Sequence, residues 1–364
     1  MSELFYPLRI KRITRETKDA ATFAFDIPAE LKEKFTYLPG QYLTLSTVIN
    51  GKEIRRAYSF SSSPITDADP AVTIKKVPGG IFSTYMYDDA FEGQVIQVMP
   101  PMGKFTAHVN AVNKKHYVLY AGGSGITPIM SIAKTVLDME LQSRITLIYC
   151  NQGADCVIFD QQIKNFEANE GHRFRVIHCF DNPPAGWTGR SGRQNPEDFM
   201  ALTRETRVDG YSAEYFICGP AGLMDAVKLA LATLGVSGDK VHTEYFTSPT
   251  GSSPKETVKP AGIPAVYDEE ETGGGQKAEI TLNGKTREIT IPPGVTILEA
   301  AKENDLDPPY ACQIGVCTTC RARLTEGKVE MDEREGLSDS EIAQGYILTC
   351  QSHPTTPKVK LIYE

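Results

Sequence analysis

Apolar positions along this chain change their period twice. Up to about residue 110 they come in short runs with alternating polar neighbours: Ala21–Ile27, Gln41–Leu45, Ala71–Val77 and Gln94–Val98. Pro39-Gly40, Pro78-Gly79-Gly80 and Pro100-Pro101 separate them. Short alternating runs between turn residues predict an antiparallel β-barrel or sandwich over 1–110. From 111 to 246 the apolar runs are continuous, and each precedes a helical stretch. His116–Ala121 leads to a helix from Pro128, Arg144–Tyr149 to one from about Phe159, and Tyr215–Cys218 to one from Ala221. That alternation predicts an α/β domain with a parallel sheet.

Periodicity vanishes from 247 to 276, where the chain is rich in Pro, Gly, Ser and acid. Such a segment buries too little to fold and predicts a flexible linker. Residues 277–364 regain a pattern. Asn283-Gly284 sits between two alternating runs in Ala278–Ile291, a strong hairpin signal. A helix capped by Thr296 and a closing strand at Val359–Tyr363 follow, which predicts a β-grasp (α+β) module. The fold class is therefore multidomain.

Composition narrows the partners. The 364 residues carry a net charge of −8, with no basic block. Nucleic acid and anionic membranes are poor partners for such a chain. No run of ~18 apolar residues offers a membrane span. The segment Met1–Pro7 lacks a charged region followed by an apolar core, so a cytoplasmic location is expected. Four scattered cysteines, Cys150, Cys156, Cys179 and Cys218, read as buried reduced thiols.

The other four cysteines carry chemistry. Cys312-x4-Cys317-x2-Cys320, then Cys350, is the plant-type spacing for a [2Fe–2S] cluster. Zinc is the alternative, but zinc sites usually pair two short knuckles, and one such pair exists here. Small residues fill the loop, so backbone N–H groups can close around sulfur. The module that holds it has fourteen acidic against ten basic side chains, which favours a partner with a basic docking patch.

Upstream, Arg56-Ala-Tyr58-Ser59 follows a β-rich run. A guanidinium suits a diphosphate, a tyrosine ring a flat heterocycle and a hydroxyl a ring nitrogen. Taken alone, the tetrapeptide reads better as an exposed strand with a surface Arg. Gly79-Gly80-Ile-Phe-Ser83 then opens a short helix, whose first N–H groups can hold an anion. Two more glycine turns join strand to helix: Gly122-Gly123-Ser-Gly125-Ile-Thr127-Pro128 and Cys218-Gly219-Pro220. Ligands of open parallel sheets sit at such turns.

These motifs, in this order, resemble the ferredoxin–NADP reductase superfamily. With the cysteine module attached, the chain is similar to the reductase components of multicomponent oxygenases. The resemblance implies FAD, a [2Fe–2S] cluster and NADH or NADPH. It implies that Arg56 and Gly80, Ile81, Phe82 and Ser83 hold the FAD phosphates. Tyr42, Tyr58, Ile74 and Lys75 would contact the flavin, with Ser59 near its N5. Gly122, Gly123, Gly125, Gly219 and Pro220 would hold the dinucleotide, with Thr127 and Cys218 facing the nicotinamide. Glu244 would close the site, making Ser59, Cys218 and Glu244 its catalytic set. Cys312, Cys317, Cys320 and Cys350 would ligate iron. Electrons would pass from NAD(P)H through FAD and the cluster to a partner oxygenase or hydroxylase, with phenylacetyl-CoA or other aromatic catabolism as the setting. A reductase for another redox protein of hybrid-cluster type, or a non-enzymatic redox sensor, are the alternatives. One departure leaves the coenzyme open. Similar NADPH-using members often carry Arg where Gln152 follows Tyr149-Cys-Asn151, while Arg190 and Arg193 lie in the same domain.

Overall fold

The computed structural model describes residues 4–246, 256–258 and 275–364. They form two compact units that divide between Phe246 and Thr247.

The first unit opens with six antiparallel strands: β1 (Tyr6–Thr17), β2 (Ala20–Asp26), β3 (Tyr42–Ile49), β4 (Lys52–Ser59), β5 (Ala71–Lys75) and β6 (Val95–Val98). Their order is β4-β3-β6-β1-β2-β5. A bridge from Phe60 to Val72 brings the end of β4 back onto β5. The two edges thereby meet, and the sheet closes into the expected barrel. Phe23, Phe25, Leu43, Leu45 and Val72 fill it. Helix α1 (Ile81–Asp88) adds Phe82 and Met86 to the same core. Strand β1 carries no long apolar run. Leu8 and Ile10 are its buried anchors, and bulges beyond Ile10 and Arg15 interrupt its alternation.

The second half is a parallel sheet. Its elements are β7 (Lys115–Gly122), α2 (Ile126–Met139), β8 (Arg144–Asn151), α3 (Asp160–Glu170), β9 (Phe174–Phe180), β10 (Arg190–Ser191), α4 (Pro196–Glu205), β11 (Ser212–Gly219), α5 (Ala221–Thr233) and β12 (Val241–Tyr245). The order β10-β9-β8-β7-β11-β12 reverses direction between β7 and β11. Such a switch point leaves a crevice at the carboxyl ends of those two strands. Helix α2 starts at Ile126, two residues before the proline expected to open it, and Pro128 sits in the first turn, where its missing N–H has no cost.

The boundary near residue 110 separates two sheets but not two bodies. Ser131 Oγ of α2 donates to the Ser62 carbonyl at 2.6 Å, and Thr135 Oγ1 to Ser63 Oγ at 2.9 Å. Lys18 of the barrel pairs with Asp155 of the second sheet's β8–α3 loop at 2.6 Å. Buried Ala20 and Phe105 join the core of the parallel sheet.

The second unit begins with β13 (Glu256–Val258). A hairpin follows, β14 (Gln276–Leu282) and β15 (Lys285–Ile291), then α6 (Ile297–Glu303). After the cysteine loop come β16 (Arg321–Glu326), β17 (Val329–Met331), α7 (Asp339–Ala343), β18 (Tyr346–Leu348), β19 (Ser352–Pro354) and β20 (Lys358–Ile362). The five-stranded sheet β15-β14-β20-β16-β18 has β20 parallel to β14, the return strand of a β-grasp module. Thr296 and Glu299 form a capping box on α6. The expected linker needs correcting. Glu256–Val258 is an antiparallel strand on β17, and Gln276 already belongs to β14. The rest of 247–276, apart from Gly275, lies outside the described residues.

Candidate functional site

Three residues from three distant stretches meet inside the first unit. Ser59 ends β4, Cys218 lies near the end of β11, and Glu244 is its register partner on β12. The Ser59 hydroxyl donates to Glu244 Oε2 at 2.9 Å. The bond crosses from the barrel to the parallel sheet. Glu244 keeps partial exposure as a residue, but its carboxyl is the buried end, and burial pushes its pKa up to about 8 against the pull of the Ser59 hydrogen bond. Burial, and then the Glu244 carboxyl, push the Cys218 thiol well up. The set can therefore hold a proton on Glu244 at neutral pH and keeps Cys218 a neutral thiol.

The glycine turns pack against each other at the switch point. A Cβ on Gly125 would lie 2.1 Å from the Cys218 carbonyl oxygen, so the α2 turn can only be glycine there. Thr127 is buried, and its hydroxyl donates to the Ser124 carbonyl at 3.1 Å, which holds the turn closed. Tyr149 Oη donates to the Gly123 carbonyl at 3.1 Å. Beside them, Asn151 at the end of β8 is 5% exposed, and neither atom of its amide has a hydrogen-bond partner among the described residues. The Tyr149 hydroxyl is its polar neighbour, but gives its proton to Gly123. A buried amide without partners carries a desolvation cost. It fits a polar ligand, such as a nicotinamide dinucleotide would be. The sequence offered a hint only, since Asn151 stands next to the position read for coenzyme choice.

On the barrel, Arg56 is exposed and makes no ion pair among the described residues; its Nη1 donates to the Arg55 carbonyl at 2.7 Å. That leaves guanidinium donors for a diphosphate. Tyr58 packs 5.8 Å from the Phe82 ring, and Phe82 is buried while its neighbour Ile81 is exposed. Gly80 caps α1, and Ser83 Oγ accepts from Val77 N at 3.1 Å. The N–H groups of the first turn of α1 are left without intrahelical partners, as at any helix start. Tyr42 is buried at the barrel end and bridges to Met102. These groups suit an FAD diphosphate and ring. One expectation changes. Ile74 is fully buried in the barrel core, so its side chain is a packing residue and not a flavin contact. Lys75 is partly exposed and pairs with Asp19 at 3.5 Å.

In the second unit the four cysteines surround one loop as two close pairs. Cys312 Sγ accepts from the backbone N–H of Ile314 at 3.5 Å and of Cys317 at 3.4 Å. The Cys317 thiol, then burial's opposing push and the backbone N–H groups of Ile314, Cys317 and Val316, leave the Cys312 thiol at about 6. Contact with Cys312 and burial raise Cys317, and contact with Cys350 and burial raise Cys320. Gly315 has a φ of 75°, and a Cβ there would lie 2.6 Å from Glu333 Cγ. Gln351 Nε2 lies 3.7 Å from Cys350 Sγ, a further donor toward sulfur. The four thiols, in two close pairs around one loop, would hold a [2Fe–2S] cluster, which carries one electron at a time. The scattered cysteines differ from expectation: Cys179 and Cys218 are buried, but Cys150 and Cys156 are partly exposed. Among the described residues no helix is long and apolar enough to cross a membrane.

Known proteins agree with this layout. Residues 7–107 match the oxidoreductase FAD-binding domain, 119–229 the oxidoreductase NAD-binding domain, and 280–355 the 2Fe-2S iron-sulfur cluster binding domain. A component of 1,2-phenylacetyl-CoA epoxidase from Escherichia coli (strain K12) is 33% identical over 99% of this chain and 98% of that protein. The ferredoxin reductase component of 3-ketosteroid-9-alpha-monooxygenase from Rhodococcus rhodochrous is 32% identical over 97% of this chain and 95% of that protein. Phthalate dioxygenase reductase shares the fold, with a TM-score of 0.57 and 22% identity over 99% of this chain and 98% of that one. The glycine turns, the Ser59–Glu244 contact and the paired cysteines thus sit in a chain that belongs to the reductase components of oxygenase systems, which use FAD, a nicotinamide nucleotide and a [2Fe–2S] cluster to feed electrons to a partner oxygenase.

Proposed function

We propose that this reductase takes its electrons from NADH. FAD accepts hydride and the cluster carries single electrons; the chain supplies position and electrostatics. Arg56 and the α1 turn would hold the FAD diphosphate, and the four cysteines would hold the irons. Ser59 and Glu244 would keep a proton-bearing pair beside the reacting ring, and Cys218 would exclude water there. The turn from Gly122 to Gly125 and Asn151 would seat the dinucleotide.

The observation that carries the coenzyme assignment is the state of the two arginines near the β8 loop. Arg190 pairs with Glu205 at 2.9 Å, and Arg193 with Asp181 at 3.5 Å. A 2′-phosphate would compete with Glu205 for Arg190 and with Asp181 for Arg193. Gln152 offers no charge in their place, and hydrogen bonding without charge suits a free 2′-hydroxyl. Measuring kcat/KM for both coenzymes on the unmodified protein tests this; a preference for NADPH would overturn it.

The epoxidase and monooxygenase relatives belong to oxygenases, which favours that partner over a hybrid-cluster protein or a sensor role. Their substrates differ, a phenylacetyl-CoA in one and a 3-ketosteroid in the other, at nearly equal identity. The aromatic setting rests on the first of these relatives alone. Co-purification of the partner oxygenase, followed by reconstitution with candidate substrates, tests it.

A further inference from the structure

A row of four register partners crosses the carboxyl edge of the parallel sheet: Gly122 on β7, Cys150 on β8, Cys179 on β9 and Arg190 on β10. Partners in parallel strands point to the same face, so the two thiols lie side by side. Adjacent strands run about 4.8 Å apart. That spacing falls inside the window of roughly 4.4–6.8 Å between Cα atoms that a disulfide spans, and the bridge would draw the two Cβ atoms in to roughly 3.5–4.5 Å, pulling the strand ends together. Both cysteines are free, Cys179 buried and Cys150 partly exposed.

We propose that Cys150 and Cys179 form a reversible thiol–disulfide couple, oxidised by hydroperoxides, that weakens nucleotide binding at this edge. Three observations support it besides the register. The thiols are each other's strongest electrostatic neighbours: contact with Cys179 raises Cys150, and contact with Cys150 lowers Cys179. The pair therefore favours one shared thiolate, and Arg190 adds to that preference at Cys179. Cys150 is the partly exposed member of the pair and Cys179 the buried one, so an oxidant would have to enter from the Cys150 side. Finally, Cys150 stands one residue before Asn151 and beside Gly122 in register, so a bridge there alters the strand end that seats the coenzyme.

The chemistry balances with one hydroperoxide. A thiolate sulfur attacks the peroxide oxygen, the O–O bond breaks, and a sulfenic acid and hydroxide result. The second thiol then displaces the sulfenic oxygen, forming the S–S bond. With hydrogen peroxide, two thiols lose two electrons and two protons, and two waters form. A thiol reductant reverses the step.

The test uses the full holoprotein and hydrogen peroxide. After mild treatment, peptide mass spectrometry should find Cys150 linked to Cys179, two hydrogens lighter than the separate peptides, and dithiothreitol should release them. The KM for the preferred coenzyme should rise several-fold with ferricyanide as acceptor, an assay that bypasses the cluster, and should recover on reduction. Cys179→Ser should remove both effects; because Cys179 is buried, Cys150→Ser provides the same test at an accessible position. Absence of the linked peptide overturns the couple. A linked peptide with unchanged KM, or an equal rise of KM in Cys150→Ser, overturns its role in nucleotide binding. The peptide readout does not depend on which coenzyme is used, so its failure is separable from a wrong assignment of NADH.

Discussion

Ser59 and Glu244 stand 185 positions apart in the chain and share a 2.9 Å hydrogen bond. One belongs to the barrel that holds FAD and the other to the sheet that holds the nucleotide. In the proposed function, this contact lies at the seam where hydride would pass. Ser59→Ala should lower kcat for ferricyanide reduction by about 10²-fold, in the range of a lost positioned proton-handling group. FAD content, measured by absorbance after denaturation, should stay near one per chain. A loss of FAD in step with activity would instead make Ser59 a flavin anchor.

Glu244 should also mark the pH dependence of stability. Its pKa is raised by burial to about 8 from an ordinary carboxylate value. Between the unfolded pKa and about 8 the folded state binds the extra proton, so stability falls as pH rises through that window. Glu244→Gln has no proton to lose. Its Tm relative to the unmodified protein should therefore climb from pH 5 to pH 9. A constant difference across that range would show that the carboxyl is already ionised when folded.

Cys317→Ser should abolish the cluster. Iron and acid-labile sulfide should disappear, and reduction of a protein acceptor should stop. Ferricyanide reduction should survive, because FAD alone can perform it. Loss of both activities would show that the two units do not work separately. Zinc in place of iron in the unmodified protein would refute the ligand assignment.

Gln152→Arg should shift the ratio of kcat/KM toward NADPH. A hydrogen bond to a charged group contributes roughly 1.5–3 kcal/mol, on the order of tenfold to a hundredfold. No shift would place the 2′-position of the ribose elsewhere.

Asn151→Leu should separate stability from binding. The change removes a buried amide that has no partner without ligand, so the coenzyme-free protein should hold or gain Tm. The KM for the coenzyme should rise. A Tm drop of several degrees would mean that Asn151 supports the fold itself.

The turns were the most legible part of the sequence. Asn283-Gly284 is a hairpin turn with both residues at positive φ, 50° and 73°, because few other pairs adopt that backbone. The glycines of 122–125 were read as a strand-to-helix turn, and they join β7 to α2, where Gly125 packs against the Cys218 carbonyl. Cysteine spacing announced its own loop. Less legible were the strands that lack an apolar run. Strand β1 exposes Lys and Arg along most of its length, and β9 is half-buried with a polar Arg and His inside it. Glu256–Val258 was hidden because three residues in a Pro- and Gly-rich stretch carry no period, and only β17 makes them a strand. Ile74 was assigned by resemblance to the flavin, whereas its face of β5 is the barrel core. Such facts depend on what lies opposite in space.

The pairing of the cysteines has a consequence for the order of assembly. Cys312 and Cys317 can meet within a single turn of loop, before anything else in the module is built. Cys320 and Cys350 are brought together across β16 to β18, and Thr349 Oγ1 fastens that junction to the Cys320 carbonyl at 3.0 Å. Closing the longer span costs about 1.6 kcal/mol more in chain entropy. Three of the four cysteines therefore belong to one local loop, and the arrival of Cys350 is the reporter of completed folding. A nascent chain released before β18 pairs would offer iron the three thiols of one loop and no fourth wall to close the cage.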